Sequence, residues 1–296
     1  QFLPMRDDEN GKYLVTNPGI DGLILTGSFD TASLFTSWRP EINLMAETSG
    51  KNAILISACA DIDAAVKDLV QSAFGHAGQK CSAASRAYIP SNIASQIKER
   101  LIAGVNSFKM GSVEDFSNFI TAVIDQKSFD NIKSYIAKAG ESKDASILVG
   151  GQCNDTEGYF VTPTVIETTD PKFVTMCEEI FGPVLTIYVY PEEKFQETME
   201  LLDSTSPYAL TGSIISNDRA SIDLATKVLR NAAGNFYIND KPTGAVVGMQ
   251  PFGGARASGT NDKAGSALNL LRWASPRTIK ETFVTPEDYR YPFLGE

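Results

Sequence analysis

Histidine is almost absent from this sequence of 296 residues, which has a single one, His76, and cysteine is scarce, with four. The cysteines are widely spaced and include no CxxC pair. A structural zinc site takes four cysteine or histidine ligands at short spacings, and disulfide-stapled domains are far richer in cysteine. The sequence therefore predicts no metal site and no disulfide framework, and it indicates a compartment in which thiols stay reduced.

The sequence also has fewer basic than acidic residues and no long apolar run. Lysine and arginine number 26 against 36 aspartates and glutamates, a formal net charge of −10. Such a surface repels phosphates, which argues against nucleic acid as a partner. No apolar run approaches the roughly 20 residues of a membrane-spanning helix, and the start lacks a secretory signal. We expect a protein of the cytoplasm, or of the mitochondrial matrix in a eukaryote, without an integral membrane segment.

Strand and helix patterns alternate along most of the chain. Short apolar runs, such as 22–26 and 184–190, predict buried strands, and a longer strand is predicted over 159–166. Apolar residues at helical spacing over 62–73, after a capping Asp61, predict a helix. This alternation is typical of an α/β fold built on largely parallel sheets.

The stretch GHAGQKCSAASR at 75–86 suggests a nucleophilic cysteine. Small residues around Cys81 leave room for a carbonyl group, and backbone amides there can stabilise an oxyanion. We expect Lys80 to favour the thiolate. A lone cysteine is more often a small buried apolar residue. His76 is either the base that activates Cys81 or a residue that packs a helix end, and the sequence leaves both alternatives open.

Four motifs occur in the order and at the intervals typical of the aldehyde dehydrogenase superfamily: ETSGKN at 47–52, GQKCSAASR at 78–86, EEIFGPV at 178–184 and QPFGG at 250–254. The chain resembles that superfamily over nearly its whole length. Three longer stretches are similar to the branch that oxidises glutamate semialdehyde, the open form of 1-pyrroline-5-carboxylate; they are 74–86, 229–240 and 244–265. The resemblance implies a parallel-sheet catalytic domain, a Rossmann-type cofactor domain and an oligomerisation segment.

The resemblance implies two catalytic residues. Cys81 would attack the aldehyde to give a thiohemiacetal and then a thioester, and Glu47 would activate the water that hydrolyses the thioester. Hydrolysis near neutral pH benefits from a general base, and no histidine other than His76 exists to serve. A glutamate considered alone is more often a salt-bridge partner. Ser49 stands where the family usually has glycine.

The implied cofactor is NAD. By resemblance, Gly27 and Ser28 form the turn on the pyrophosphate side, Glu179 binds the nicotinamide ribose hydroxyls and Phe181 packs beside the nicotinamide. A Gly-Ser turn after a strand can place amides toward an anion, although such turns are also common without a ligand. Taken alone, the segment around Glu179 would be an ordinary turn that ends in Gly-Pro.

The implied substrate, glutamate semialdehyde, would be held at its carboxylate. By resemblance, the backbone amides of Gly244 and Ala245 bind this group with the help of Ser82, and Phe252 packs on the aliphatic stem. Glycine permits such close backbone approach. The glycine-rich stretch 243–265 is too long for an ordinary connection, and loops of that length are usually functional. A mobile loop without a ligand is the alternative.

The resemblance also divides the chain. Residues 1–50 would be the C-terminal part of the NAD-binding domain, 51–258 the catalytic domain, and 259–296 a return to the cofactor domain with the oligomerisation segment of a homo-oligomer. The start at Gln1 predicts a portion of a longer polypeptide, and a fused proline dehydrogenase domain, as in bifunctional proline-utilisation flavoproteins, stays open. Two other functions stay open: a noncatalytic fragment or structural subunit, and an aldehyde dehydrogenase of other specificity.

Overall fold

The computed structural model describes residues 1–6 and 8–295. Its strands are β1 (Gly22–Thr26), β2 (Asn43–Glu47), β3 (Asn52–Ile56), β4 (Ala84–Pro90), β5 (Ala145–Val149), β6 (Cys153–Asn154), β7 (Phe160–Val161), β8 (Thr164–Thr168), β9 (Val184–Tyr190), β10 (Tyr208–Ala209), β11 (Thr211–Ile215), β12 (Asn235–Ile238) and β13 (Ala255–Arg256). Its α-helices are α1 (Glu9–Thr16), α2 (Phe29–Trp38), α3 (Ile62–Phe74), α4 (Ala94–Asn106), α5 (Gln126–Glu141), α6 (Val174–Cys177), α7 (Phe195–Ser204), α8 (Arg219–Val228) and α9 (Ala267–Leu270).

The main sheet has seven strands in the order β12-β11-β3-β4-β9-β8-β5. Every neighbouring pair is parallel except β5 with β8 at one edge. This mixed α/β architecture with a largely parallel sheet confirms the predicted fold class. Parallel strands are connected by crossovers, which place helices on both faces of the sheet.

Strand β3 shows how the core forms on both faces. Successive side chains of a strand point to opposite faces. Ile54 and Ile56 therefore pack in the cluster that includes α3 and α4, whereas Leu55 packs in the cluster that includes α7 and α8. All three side chains are fully buried, which fixes the register of the strand that leads away from the candidate site.

Strands β1 and β2 form a separate parallel pair near the start of the chain. The chain returns to this pair much later, because Gly259 forms an antiparallel bridge with Glu47 and the Thr260 N–H donates to the Ala46 carbonyl at 2.9 Å. The division at residues 50 and 258 stays a prediction. Asp7 and Glu296, which belong to its first and third segments, lie outside the described residues.

One local expectation needs correction, and one helix was not predicted. The single strand predicted over 159–166 is wrong, because this stretch forms β7 and β8 with Thr162 and Pro163 outside either strand. Proline has no N–H to donate to a sheet, and β7 pairs with β6 instead of joining the main sheet. Helix α1 was not predicted; it is capped by Asp8, whose carboxylate accepts the Asn10 N–H at 3.0 Å. In the described part of the chain, no helix combines the length and the apolar character needed to cross a membrane.

Candidate active site

A cavity of about 840 Å³ lies where β1 and β2 meet the loops before β4 and around α6 and β13. It brings together the ten residues that the resemblance assigned to the site: Gly27, Ser28, Glu47, Cys81, Ser82, Glu179, Phe181, Gly244, Ala245 and Phe252. These residues come from distant parts of the chain. Their common location supports one site, while the role of each residue stays a prediction.

The segment that carries Cys81 is held from below by a buried amide side chain. Asn52, the first residue of β3, donates through Nδ2 to the carbonyls of Cys81 at 2.6 Å and Ala83 at 2.9 Å. Its Oδ1 accepts the Thr211 N–H at 3.0 Å. A Cβ on Gly50 would lie 2.4 Å from the Cys81 carbonyl oxygen, so this close approach requires glycine.

The turn before Cys81 has an unusual backbone. His76, Ala77 and Gly78 all have positive φ, at 59°, 52° and 66°. A Cβ on Gly78 would lie 2.2 Å from the Gly182 carbonyl oxygen, so this residue also has to be glycine. His76 is exposed and is not among the described residues that line the cavity. The geometry therefore does not support His76 as the base of Cys81.

The pKa of the Cys81 thiol is raised, chiefly by burial and then by the negative charges of Glu179 and Glu47. A hydrogen bond from the Ser82 backbone opposes this effect. Lys80 lines the cavity but is exposed, where solvent weakens its influence. The raised pKa favours the thiol form, contrary to the expectation of a thiolate beside Lys80.

Glu47 ends β2 at the cavity wall, and its Oε2 is buried without a hydrogen-bond partner among the described residues. Its pKa is raised to about 7, chiefly by burial and also by the charge of Asp262, whereas the Gly254 backbone and Lys263 act in the opposite direction. A carboxyl group with a pKa near 7 can accept a proton from water at neutral pH. Glu47 therefore has the protonation behaviour of a general base.

Glu179 and Phe181 form another part of the wall. The Gly50 N–H donates to Glu179 Oε1 at 2.7 Å and so orients the carboxylate. Phe181 has a φ of 58° and is 42% exposed, so its ring lies open to the cavity. A fixed carboxylate next to an exposed aromatic face fits a ribose diol and a flat heterocycle, which are the parts of NAD assigned to these residues.

The turn between β1 and α2 carries Gly27 and Ser28. The Gly27 N–H donates to the Glu47 carbonyl at 3.2 Å, which ties this turn to the end of β2. The Ser28 hydroxyl caps α2 by accepting the Thr31 N–H at 3.1 Å. The N-terminus of this helix of 10 residues faces the cavity region, as an anion site requires, although Asp30 lies in its first turn.

At another part of the cavity, the N–H groups of Gly244 and Ala245 have no acceptor among the described residues. Gly244 has a φ of 88°, a conformation that favours glycine. Phe252 is held by two backbone hydrogen bonds with Ala264, at 2.9 and 2.7 Å. Free amides and an aromatic ring that line the same cavity fit a carboxylate on an aliphatic stem.

Sequence reasoning missed three residues that shape the site. Asn52 lies in the ETSGKN motif, but the presence of an asparagine there did not by itself indicate a function. Thr243 precedes the glycine-rich loop, and its hydroxyl contacts the segment next to Cys81. Gln250 lines the cavity and caps the Val246 N–H. Asn52 and Thr243 act through contacts with distant segments, which no local pattern reveals, whereas Gln250 lies in the QPFGG motif that the sequence had already indicated.

Comparisons with known proteins agree with this geometry. The family model described as "Aldehyde dehydrogenase family" matches residues 1–279. The chain is 53% identical over 304 residues to "Delta-1-pyrroline-5-carboxylate dehydrogenase, mitochondrial" of Dictyostelium discoideum, with 99% of the chain and 54% of that protein covered. The chain thus spans about half the length of the curated relatives it matches.

Solved structures give the same result. A Delta-pyrroline-5-carboxylate dehydrogenase from Mycobacterium tuberculosis bound with NAD matches with a TM-score of 0.83 and 43% identity, covering 95% of this chain and 52% of that one. Proline utilization A from Bdellovibrio bacteriovorus matches with a TM-score of 0.84 and 30% identity, covering 92% of this chain and 28% of that one.

Proposed function

Because the chain belongs to the aldehyde dehydrogenase family, we propose that it carries the catalytic part of an NAD-dependent dehydrogenase that oxidises glutamate semialdehyde to glutamate. One observation supports this most directly. A thiol, a carboxyl group with a pKa near 7 and two free backbone amides line the same cavity, through Cys81, Glu47, Gly244 and Ala245. The names of the relatives favour the same substrate.

Substrate binding uses the two ends of the molecule. The amides of Gly244 and Ala245, with the Ser82 hydroxyl, hold the carboxylate, and Phe252 covers the methylene stem. With the substrate held in this way, its aldehyde carbon would lie next to the Cys81 sulfur. Holding both ends converts the attack into an effectively unimolecular step.

The Cys81 sulfur then adds to the aldehyde carbon to form a thiohemiacetal. Backbone amides beside Cys81 are suited to stabilise the negative charge on the oxygen. NAD, when bound, supplies the oxidising power that converts this adduct into a thioester, and Glu179 and Phe181 would hold its nicotinamide ribose and ring.

Hydrolysis of the thioester returns the enzyme to its starting state. Glu47 takes a proton from a water molecule, whose oxygen attacks the thioester carbon, and the Cys81 sulfur leaves. Because the pKa of Glu47 is about 7, enough of the carboxylate form exists at neutral pH for this task. The product carries a second carboxylate and leaves the cavity.

The proposal is tested by comparing two substrates on the purified full-length protein, with the formation of reduced NAD as the readout. Glutamate semialdehyde is compared with an uncharged aldehyde of equal chain length. Each buried donor left unpaired costs about 1 to 3 kcal/mol, and about 1.4 kcal/mol corresponds to a factor of ten. Two or three donors therefore predict kcat/KM values that differ by several powers of ten.

The outcome separates the alternatives. Equal kcat/KM values for the two aldehydes would indicate an aldehyde dehydrogenase of other specificity. Absence of turnover with either aldehyde, in a folded protein, would favour a noncatalytic or structural role. The mass of the intact polypeptide separately shows whether a proline dehydrogenase domain is fused to it, since relatives of both architectures match this chain.

We further infer a homo-oligomer. Large apolar side chains near the end of the chain are exposed; among them are Leu270, Leu271, Trp273, Phe283 and Val284. Such a surface favours contact with another copy. Truncation before Lys280 should lower the mass measured by sedimentation, whereas an unchanged mass would contradict this inference. The free thiols are consistent with the cytoplasm or the mitochondrial matrix as the location.

A further inference from the structure

The loop that offers the two free amides is joined directly to the nucleophile segment. Thr243 immediately precedes Gly244, and its hydroxyl donates to the carbonyl of Ser82 at 2.9 Å. Thr243 and Ser82 are 8% and 7% exposed, so this bond lies out of solvent. It therefore connects the residue before the amides with the residue after Cys81.

The Thr243 hydroxyl belongs to a short hydrogen-bond network. The Ala84 N–H donates to Ser72 Oγ at 3.0 Å, and Ser72 Oγ contacts the Thr243 hydroxyl. Because Thr243 gives its proton to Ser82, Ser72 must give its own proton to Thr243. Each hydroxyl then has one donor and one acceptor, and the network links α3, β4 and the loop. A buried network with all its members satisfied is rigid.

On the C-terminal side of the two amides, Gln250 holds the loop. Its side-chain Oε1 accepts the Val246 N–H at 2.8 Å, and its backbone N–H donates to the Val246 carbonyl at 3.0 Å. This reciprocal pair fixes the turn that directly follows Ala245. The amides of Gly244 and Ala245 lie between the two fixed points and stay free to bind a ligand.

We propose that Thr243 and Gln250 are positioning residues that set the distance between the Cys81 sulfur and the two anchor amides, and thereby select the chain length of the substrate. This inference rests on the proposed function, in which an aldehyde and a carboxylate are bound at the two ends. Both ends line one cavity, and hydrogen bonds of Thr243 and Gln250 hold the loop on either side of the two amides. A semialdehyde of the wrong length can reach either the Cys81 sulfur or the anchor amides, but not both.

The test uses the variants Thr243→Val and Gln250→Met in the full-length protein. Each keeps the approximate size of the side chain and removes one hydrogen bond. Both are assayed with glutamate semialdehyde, with the semialdehyde shorter by one methylene group, and with an uncharged aldehyde. Loss of the bond should lower kcat/KM for glutamate semialdehyde by about tenfold, mainly through KM, and leave kcat/KM for the uncharged aldehyde within about twofold.

The ratio of kcat/KM for the two semialdehydes is the decisive readout, because a merely structural defect lowers both values alike. Wild-type protein should favour the longer substrate by about tenfold or more, and both variants should narrow this preference. Thr198→Val is the matched control. Thr198 is buried in α7 and donates to the Lys194 carbonyl at 2.8 Å, and its loss should leave the ratio unchanged.

Each result has a defined meaning. If wild-type protein does not distinguish charged from uncharged aldehydes, the proposed function is overturned, and the inference with it. If wild-type protein distinguishes them but both variants retain the wild-type length preference, the proposed function stands and the positioning role is overturned. Gln250 lies at the wall of the open cavity, so Gln250→Met provides the test if Thr243→Val does not fold.

Discussion

Cys81 and Glu47 line the same cavity, and each has a raised pKa. Burial is the main cause for both, and the Glu47 charge also raises the pKa of the thiol. In the proposed reaction the two groups are needed at different stages, because the thiolate would attack first and the carboxylate would act only after the thioester has formed. A raised pKa at both groups lowers the population in which two adjacent buried negative charges are present together.

Replacing the proposed nucleophile should stop the reaction without unfolding the protein. Cys81→Ala should abolish aldehyde oxidation and leave NAD binding within about twofold, because the covalent step is lost while the cofactor contacts remain. Aldehyde-dependent formation of reduced NAD and cofactor titration measure the two effects. Cys59→Ala, which changes an exposed thiol outside the cavity, is the control and should be fully active. Substantial turnover by Cys81→Ala would contradict the assignment.

Removing the proposed base should separate the two chemical steps. Glu47→Gln should still give a burst of reduced NAD and then turn over slowly, because the thioester forms but its hydrolysis lacks a base. Rapid mixing with absorbance detection measures both phases. A folded variant that shows no burst would indicate that Glu47 acts before thioester formation or only structurally.

The pH dependence of wild-type protein follows from the same group. A base works in its deprotonated form, and the pKa of Glu47 is about 7. Where hydrolysis limits turnover, kcat should therefore rise by about tenfold per pH unit well below this value and level off above it. A kcat that stays constant from pH 6 to pH 8 in hydrolysis-limited conditions would contradict this prediction.

At the scale of secondary structure, the start of β3 serves as the support of the nucleophile segment. Asn52 is 2% exposed and satisfies three backbone groups, the carbonyls of Cys81 and Ala83 and the N–H of Thr211. The two carbonyls belong to the loop before β4, and the N–H belongs to β11. Strands β4 and β11 flank β3 in the sheet. One side chain thus aligns the loop with the sheet.

Asn52→Leu should be strongly destabilising. It would leave three buried backbone groups without partners, at about 1 to 3 kcal/mol each, so the free energy of unfolding should fall by at least about 3 kcal/mol. Urea unfolding measures this change. The control is Asn92→Leu, which removes one bond from an exposed side chain to the Ala58 carbonyl and should cost less than about 1 kcal/mol. Equal losses for the two variants would contradict the proposed role of Asn52.

At the scale of the whole molecule, the buried ionisable side chain of Lys51 can influence the stability of the fold. It is 2% exposed, and its Nζ has no hydrogen-bond partner among the described residues. Burial and the neighbouring Arg86 lower its pKa to about 7, while the charges of Glu178, Glu179 and Cys177 act in the opposite direction. Folding therefore favours the neutral amine over much of the alkaline range.

This lysine should make stability depend on pH. Between pH 7 and about 10 the unfolded chain binds a proton at Lys51 that the folded protein does not, so the free energy of unfolding should rise with pH by up to about 1.4 kcal/mol per unit. Lys51→Met should remove this rise, as measured by urea unfolding at pH 7, 8 and 9. Lys194→Met, at an exposed lysine, is the control. Parallel curves for wild-type and Lys51→Met protein would refute the prediction.

The sequence by itself determined the α/β alternation, because periodic apolar patterns are local, and its motifs gave the ten candidate site residues, which the structure places around one cavity and whose roles stay predictions. Only the tertiary structure decided how those residues are held. The Thr243 hydroxyl reaches Ser82 across 161 positions, and Asn52 reaches Cys81 across 29. The pKa of Glu47 and that of Cys81 depend chiefly on burial by distant segments, which the neighbouring Lys80 in the sequence could not reveal. Local sequence specifies elements and chemical groups, whereas hydrogen bonds between distant segments and the exclusion of water exist only after the chain has folded.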